Sequence, residues 1–178
     1  MAVDLGPRLG DDYDDTLIHA LSGDLIGGIA LEFGVATGHS GRIIGSRLPV
    51  VGFDSFEGLP EDWRPGFPAG KFAQRPPDYP GQLVIGLFAD TLPRFVFPAA
   101  VAFVHVDCDL YSSTVTVLEH VGPHLRPGCV IVFDEFHGYP GCEDHEQRAW
   151  VEYVERTGIE WEPIGHGPEQ LAVRLLSV

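Results

Sequence analysis

At 178 residues, 44% of them hydrophobic, the chain has enough apolar material for one domain with a sizeable core, and no apolar run is long enough to span a membrane. Twenty-six acidic residues against eleven basic ones leave a net charge of -15. A surface that acidic repels phosphate backbones, which argues against nucleic acid and for a small or cationic substrate.

The opening MAVDLGPRLGDDYDD has neither a signal-peptide nor a basic transit pattern. Within it, DDYDDTLIHALS predicts a short helix with acids in its first turn, where they suit the macrodipole, and with Leu17, Ile18 and Leu21 on one face. GGIALEFGVATGHSGRIIGSRL predicts a strand through Ala30 to Phe33, a glycine-rich turn and a helix from about Ser40. VVGFDSF is a second strand ending near Asp54. Residues 57–82 are rich in proline, glycine and aromatics, with little periodicity, so they form either a lid or a surface loop. Trp63, Phe67, Phe72 and Tyr79 are available there for ligand contacts.

QLVIGLF is the third strand, and VAFVHVD is a fourth whose continuous apolar run suits a parallel sheet covered on both faces. A helix follows, with Ser112 or Ser113 as N-cap and Val115, Leu118 and Val121 on one face. RPGCVIVFDEF gives a turn and a fifth strand. EDHEQRAWVEYVERTG is a helix with Ala149, Trp150, Tyr153 and Val154 inward, stopped at Gly158, and IEWEPIG and EQLAVRLLSV close the chain as a strand pair. Alternating strands and helices predict one α/β domain over 1–178, a doubly wound Rossmann-like sheet, mostly parallel with an antiparallel C-terminal strand. Three cysteines, Cys108, Cys129 and Cys142, form no C-x-x-C pair, as expected of a chain in the reducing cytoplasm.

The first glycine turn carries the spacing E-x-G-x-x-x-G-x-x-G, with Glu32, Gly34, Gly38 and Gly41. Dinucleotide folds use the closer G-x-G-x-x-G, which lets a pyrophosphate approach the backbone, and a P-loop needs a lysine that is missing here. About twenty residues on, Asp54 ends the second strand, where an acid can accept bonds from both ribose hydroxyls. A nucleoside without a diphosphate fits both features, and S-adenosylmethionine is such a ligand. The competing readings are a non-catalytic module that binds S-adenosylmethionine and a nicotinamide-dependent oxidoreductase. The glycine spacing disfavours the latter.

The strings LEFGVATGHS, VGFDSFEGLPEDW, GLFADTLP, VDCDLYSST and LRPGCVIVFDEF occur in the order and spacing of the macrocin O-methyltransferases. The chain resembles that family over roughly residues 30–155, and DSFEGLP followed by DTLP and D-x-D-L-Y is the discriminating part. The resemblance implies a class I methyltransferase sheet and metal-assisted O-methylation of a small-molecule hydroxyl. It implies that Glu32, Gly34, Val35 and Gly38 shape the pocket for S-adenosylmethionine, with Ser40 near its carboxylate at a helix N-terminus. Asp54 would bind the ribose, Ser55 and Phe56 would flank the adenine, Ala89 and Asp90 would contact it, and Asp107 would lie under the methyl donor. Members often carry a longer N-terminal lid, so a less enclosed acceptor site is expected. A second copy of the chain, as a homodimer, is one way to complete it.

Asp107 and Asp109 end the fourth strand, and Asp134 and Glu135 end the fifth. In the doubly wound order these strands are neighbours, about 4.8 Å apart, with both ends at the ligand edge. Four carboxylates in one crevice repel unless a cation or protons compensate. All-oxygen ligands favour magnesium, calcium or manganese over zinc. The expected assignment is Asp107, Asp134 and Glu135 to a divalent ion, Mg2+ above all, and Asp109 to a general base. Where the family has a second aspartate after strand five, this chain has Glu135. His105 is expected as a satisfied core histidine, Cys108 as a core thiol facing away from the aspartates, and His137 and His145 as polar groups near the ligand edge.

Overall fold

The computed structural model describes residues 3–178. In chain order these form α1 (Tyr13–Ser22), β1 (Ile29–Phe33), α2 (His39–Gly45), β2 (Val50–Asp54), β3 (Gln82–Ile85), α3 (Phe88–Thr91), β4 (Val101–Val106) and α4 (Tyr111–Val121). β5 (Val130–Phe133), α5 (Glu146–Thr157), β6 (Glu160–His166) and β7 (Leu171–Ser177) complete the chain. One seven-stranded sheet has the order β3-β2-β1-β4-β5-β7-β6. β1 to β5 pair in parallel, and β7 runs antiparallel between β5 and β6. No helix among the described residues is long and apolar enough to cross a membrane.

The central strands are apolar on both faces because both are covered. Ala30, Phe103, Val130 and Val132 meet Leu17 and Leu21 of α1 and Ile44 of α2. Their sequence neighbours Leu31, Phe33, Val104, Val106, Ile131 and Phe133 turn to the other face, against Val117 and Leu118 of α4 and Trp150 of α5. The period of two thus sorts one continuous hydrophobic run into two cores. Glu32 and His105 break the apolar run. They are register partners on β1 and β4 and both are buried.

Two local expectations are corrected. Ile18 is 47% exposed, unlike buried Leu17 and Leu21, because the next residue on a helix turns by about 100°. The N-cap of α4 is Leu110, with no side-chain cap bond; Ser112 and Ser113 lie inside the first turn and face the cavity described below. The capping box falls instead on α1, where Asp12 and Asp15 satisfy each other's backbone N–H groups.

Residues 57–81 contain no helix or strand, yet the segment is held along its length. Leu59 exchanges backbone bonds with Gly70 and Lys71, and the Gln74 N–H donates to Phe56 O at 3.1 Å. Trp63 packs edge-on against Tyr139, and Arg64 lies over both rings and pairs with Glu169.

Candidate active site

The C-terminal ends of the five parallel strands open to one edge of the sheet, the ligand edge of doubly wound folds. A cavity of about 500 Å³ lies there, a size suited to a small organic ligand. One wall is the glycine turn after β1, with Gly34 and Ala36, together with Asp54 and Ser55 after β2. Phe88 and Ala89 of α3 form another part, and Asp107, Asp109 and Glu135 close the far end. Leu59, Pro60 and Phe72 of the long loop cover the top.

Gly34 is required where it stands. Its φ is +95°, and a Cβ there would overlap the carbonyl oxygen of Asp107. The turn after β1 therefore lies directly against the turn after β4. Asp54 folds the same turn from the other side: one carboxylate oxygen accepts the Val35 and Ala36 N–H groups at 2.9 Å each, and the other accepts Phe56 N–H at 2.7 Å. Those three bonds use most of the carboxylate's acceptor capacity, so Asp54 shapes this wall of the cavity as well as lining it.

Glu32, Val35, Gly38, Ser40, Phe56 and Asp90 do not line the cavity. Glu32 supports it from below. One oxygen accepts the Tyr79 hydroxyl at 2.8 Å and the other faces His105 Nδ1 at 3.3 Å. Gly38 is the left-handed N-cap of α2, Ser40 is on the first turn of that helix, and Asp90 is exposed on α3.

Parallel register places Val106 beside Phe133, so the acids that follow meet. One carboxylate oxygen from each of Asp107, Asp109 and Glu135 lies within 4.8 Å of the others. Asp109 reaches them through a left-handed backbone, φ +64°, in a tight turn closed by Leu110 N–H to Cys108 O. Aspartate tolerates that conformation better than most residues. Asp134, expected as the third ion ligand, stands outside this group. It continues the face of β5 that carries Val132, and its Oδ1 lies 3.9 Å from His105 Nε2, an ion-pair contact longer than a hydrogen bond. Asp109, expected apart as the base, is in the group.

Burial and mutual repulsion favour the protonated forms here. Asp107 is raised well above its ordinary value by burial and then by Asp134. Asp109 is pushed up to about 7 by burial and Asp134, against the opposing charge of Arg64. Glu135 is raised by burial, Asp134 and Asp107, and its buried Oε2 has no hydrogen-bond partner. A set of carboxylate oxygens with one orphaned buried oxygen fits a hard divalent cation.

His105 is buried as expected but only half satisfied: Nδ1 faces Glu32, while Nε2 has no hydrogen-bond partner. Burial alone would lower its basicity, but Asp134 and Glu32 outweigh that and raise it well above the ordinary value. Cys108 is buried beside Thr114, 3.5 Å from its hydroxyl, and burial raises its thiol. His137 turns away to Gln170 O at 3.2 Å and packs on His166, and His145 packs on Trp63. Glu146 was not anticipated. It is fully buried behind the acid turns, and in sequence it reads only as one more acid at a helix start.

The family described as "Methyltransferase domain" matches residues 31–136, more than half of the chain. The chain belongs to that methyltransferase family. Two curated relatives match part of it. One is the 8-demethyl-8-(2,3-dimethoxy-alpha-L-rhamnosyl)-tetracenomycin-C 4'-O-methyltransferase of Streptomyces olivaceus, 32% identical over 43% of this chain and 31% of the relative. The other is the mycinamicin III 3''-O-methyltransferase of Micromonospora griseorubida, 36% identical over 42% of this chain and 27% of the relative. The matched stretches thus span under a third of each relative. Among solved structures, the calicheamicin methyltransferase CalS11 superposes with a TM-score of 0.70 at 22% identity, covering 91% of this chain and 76% of that one. The O-methyltransferase NovP gives 0.72 at 20% identity, covering 92% and 78%. At those identities the likeness establishes the shared methyltransferase fold.

Proposed function

We propose that this methyltransferase domain moves a methyl group from S-adenosylmethionine to a hydroxyl of a small sugar-like or natural-product acceptor, with help from a divalent ion. The observation that carries the reading is one cavity joining the Asp54 glycine turn to the Asp107, Asp109 and Glu135 cluster. The two curated relatives, a rhamnosyl-tetracenomycin-C 4'-O-methyltransferase and a mycinamicin III 3''-O-methyltransferase, and the motif resemblance to macrocin O-methyltransferases support the acceptor class.

A divalent ion, Mg2+ being the chemically suited one, would supply positive charge that offsets the acids and lowers the pKa of an acceptor hydroxyl. Asp107 and Glu135 are the residues that would hold it, with Asp109 in the same convergent group. Asp109, at about 7, is poised to take the hydroxyl proton. The acceptor oxygen forms its bond to the methyl carbon as the sulfur–carbon bond breaks. The sulfur keeps the electron pair, and the proton goes to Asp109. Gly34 and Asp54 hold the donor's nucleoside, and Phe72, Leu59 and Pro60 exclude water from above.

Calorimetry with S-adenosylmethionine and with NAD tests the donor; binding of NAD alone would overturn the reading. Methyl transfer to rhamnosylated acceptors with and without chelator tests the acceptor class and the ion. Full turnover by demonstrably metal-free protein would remove the ion from the mechanism.

A further inference from the structure

The acid cluster is assembled from two separate turns, one after β4 and one after β5, and its geometry depends on how far apart those turns stand. A single side chain bridges them. Glu146, the first residue of α5, is fully buried, and its two carboxylate oxygens accept from different turns. Oε2 takes the Glu135 N–H at 3.1 Å, and Oε1 takes the Cys108 N–H in a longer bond of 3.5 Å. Cys108 stands between Asp107 and Asp109, so both arms of the bridge end on the backbone that carries the cluster.

Packing alone does not call for a carboxylate here. The charged groups facing Glu146 are further acids, Asp109 and Asp134, and burying a charge without a cation is costly. An apolar side chain would fill the space without that penalty, but it would leave two buried N–H groups unsatisfied. A carboxylate is the side chain that offers two acceptor oxygens and no donor. The positive N-terminal end of the 12-residue α5 gives partial compensation.

We propose that Glu146 is a positioning residue that ties the turn of Asp107 and Asp109 to the turn of Glu135, and so sets the carboxylate spacing for a divalent ion. The inference rests on the metal-assisted reading above. Glu146 itself contacts neither donor nor acceptor: it acts through the two backbones it holds, and nothing places it on the cavity wall.

The test compares the unmodified chain with Glu146→Gln and Glu146→Asp. Glutamine keeps the volume but turns an NH2 toward an N–H, and aspartate keeps the carboxyl group but is one methylene short of spanning both turns. Mn2+ affinity and S-adenosylmethionine affinity are each measured by calorimetry. The expected result is a loss of ion affinity of about 10- to 100-fold, the range for a group that orients a metal ligand. S-adenosylmethionine affinity should stay unchanged, because Gly34 and Asp54 lie on the other wall. Unchanged ion affinity, or equal weakening toward both ligands, overturns the inference. Failure of the unmodified chain to bind Mn2+ defeats the metal-assisted reading itself and is visible without any variant. Should neither variant fold, amide hydrogen exchange in the unmodified chain still decides: slow exchange at both Cys108 and Glu135 supports the bridge, and fast exchange at both overturns it.

Discussion

Asp109 concentrates the chemistry of the site in one residue. Its backbone is left-handed, the residue is 6% exposed, and its carboxyl is pushed up to about 7. As the proposed base, Asp109 must be deprotonated to act, so the methyl-transfer rate is expected to rise with pH and level off, with a midpoint at or below about 7 because a cation among these acids favours the carboxylate. A profile of kcat against pH checks this, and Asp109→Asn should remove that limb and slow transfer by about 100- to 10,000-fold. The same shift has a stability consequence of opposite sense. A carboxyl whose folded value is raised binds more protons folded than unfolded, so its stabilising contribution is present below its ordinary value, 3.8 for aspartate, and is lost as pH rises through about 7. Asp107, Glu135 and Glu146 are raised in the same direction. Magnesium should therefore raise Tm more at pH 7.5 than at pH 5.5, as scanning calorimetry would show; an equal rise at both would mean that the ion does not bind these acids. At the other wall, Asp54→Ala removes the acceptor of three backbone bonds. It is expected to weaken S-adenosylmethionine binding by about 1.5–3 kcal/mol, the range for hydrogen bonds to a charged group.

At the scale of elements, the long loop between β2 and β3 behaves differently at its two ends. Phe72 faces the cavity, but Tyr79 is wedged into the core side of the sheet. Its ring occupies the space that a Cβ on Gly41 or Gly52 would need, and its hydroxyl donates to buried Glu32. The C-terminal end of the loop is thus pinned beneath α2, under the glycine turn. Tyr79→Phe should keep the fold and lower stability by about 1–3 kcal/mol, the cost of leaving a buried acceptor short of a partner, read as a smaller urea midpoint. Gly41→Ala should displace the ring and cost about as much by overpacking. A midpoint unchanged in both variants would show that the tyrosine is not an anchor.

The whole molecule carries a net charge of -15, and its strand ends gather acids at the one edge where ligands enter. That field disfavours a polyanionic acceptor and concentrates cations. A gel-shift assay at low salt, where screening is weakest, is expected to show no retention of DNA or RNA. Tight, specific binding there would count against a small-molecule acceptor. The family match over residues 31–136 runs from β1 to just past β5, the part of the chain that builds the cavity.

Much of this architecture was legible because it is written in local patterns. Continuous apolar runs such as VAFVHV and VIVF can be buried only between two helical layers, and the turn chemistry between them dictates alternation with helices. The glycine turn, Asp54 and the acids after β4 and β5 were likewise visible, since strand ends in a parallel sheet share one edge. What stayed hidden depends on distances between residues far apart in the chain. The chain order of Asp107, Asp109, Asp134 and Glu135 does not say which three converge; the left-handed turn at Asp109 and the strand alternation that turns Asp134 to the face of His105, away from Glu135, decide it. Tyr79 looked like one loop aromatic among several until Glu32, 47 residues away, gave its hydroxyl a partner. Glu146 is in sequence only one more acid near a helix start, and the docking of α5 behind the two turns buries it and hands it their N–H groups. Periodicity is a property of neighbours along the chain, whereas burial of a polar group and the partner that satisfies it are set by packing, which exists only once the chain has folded.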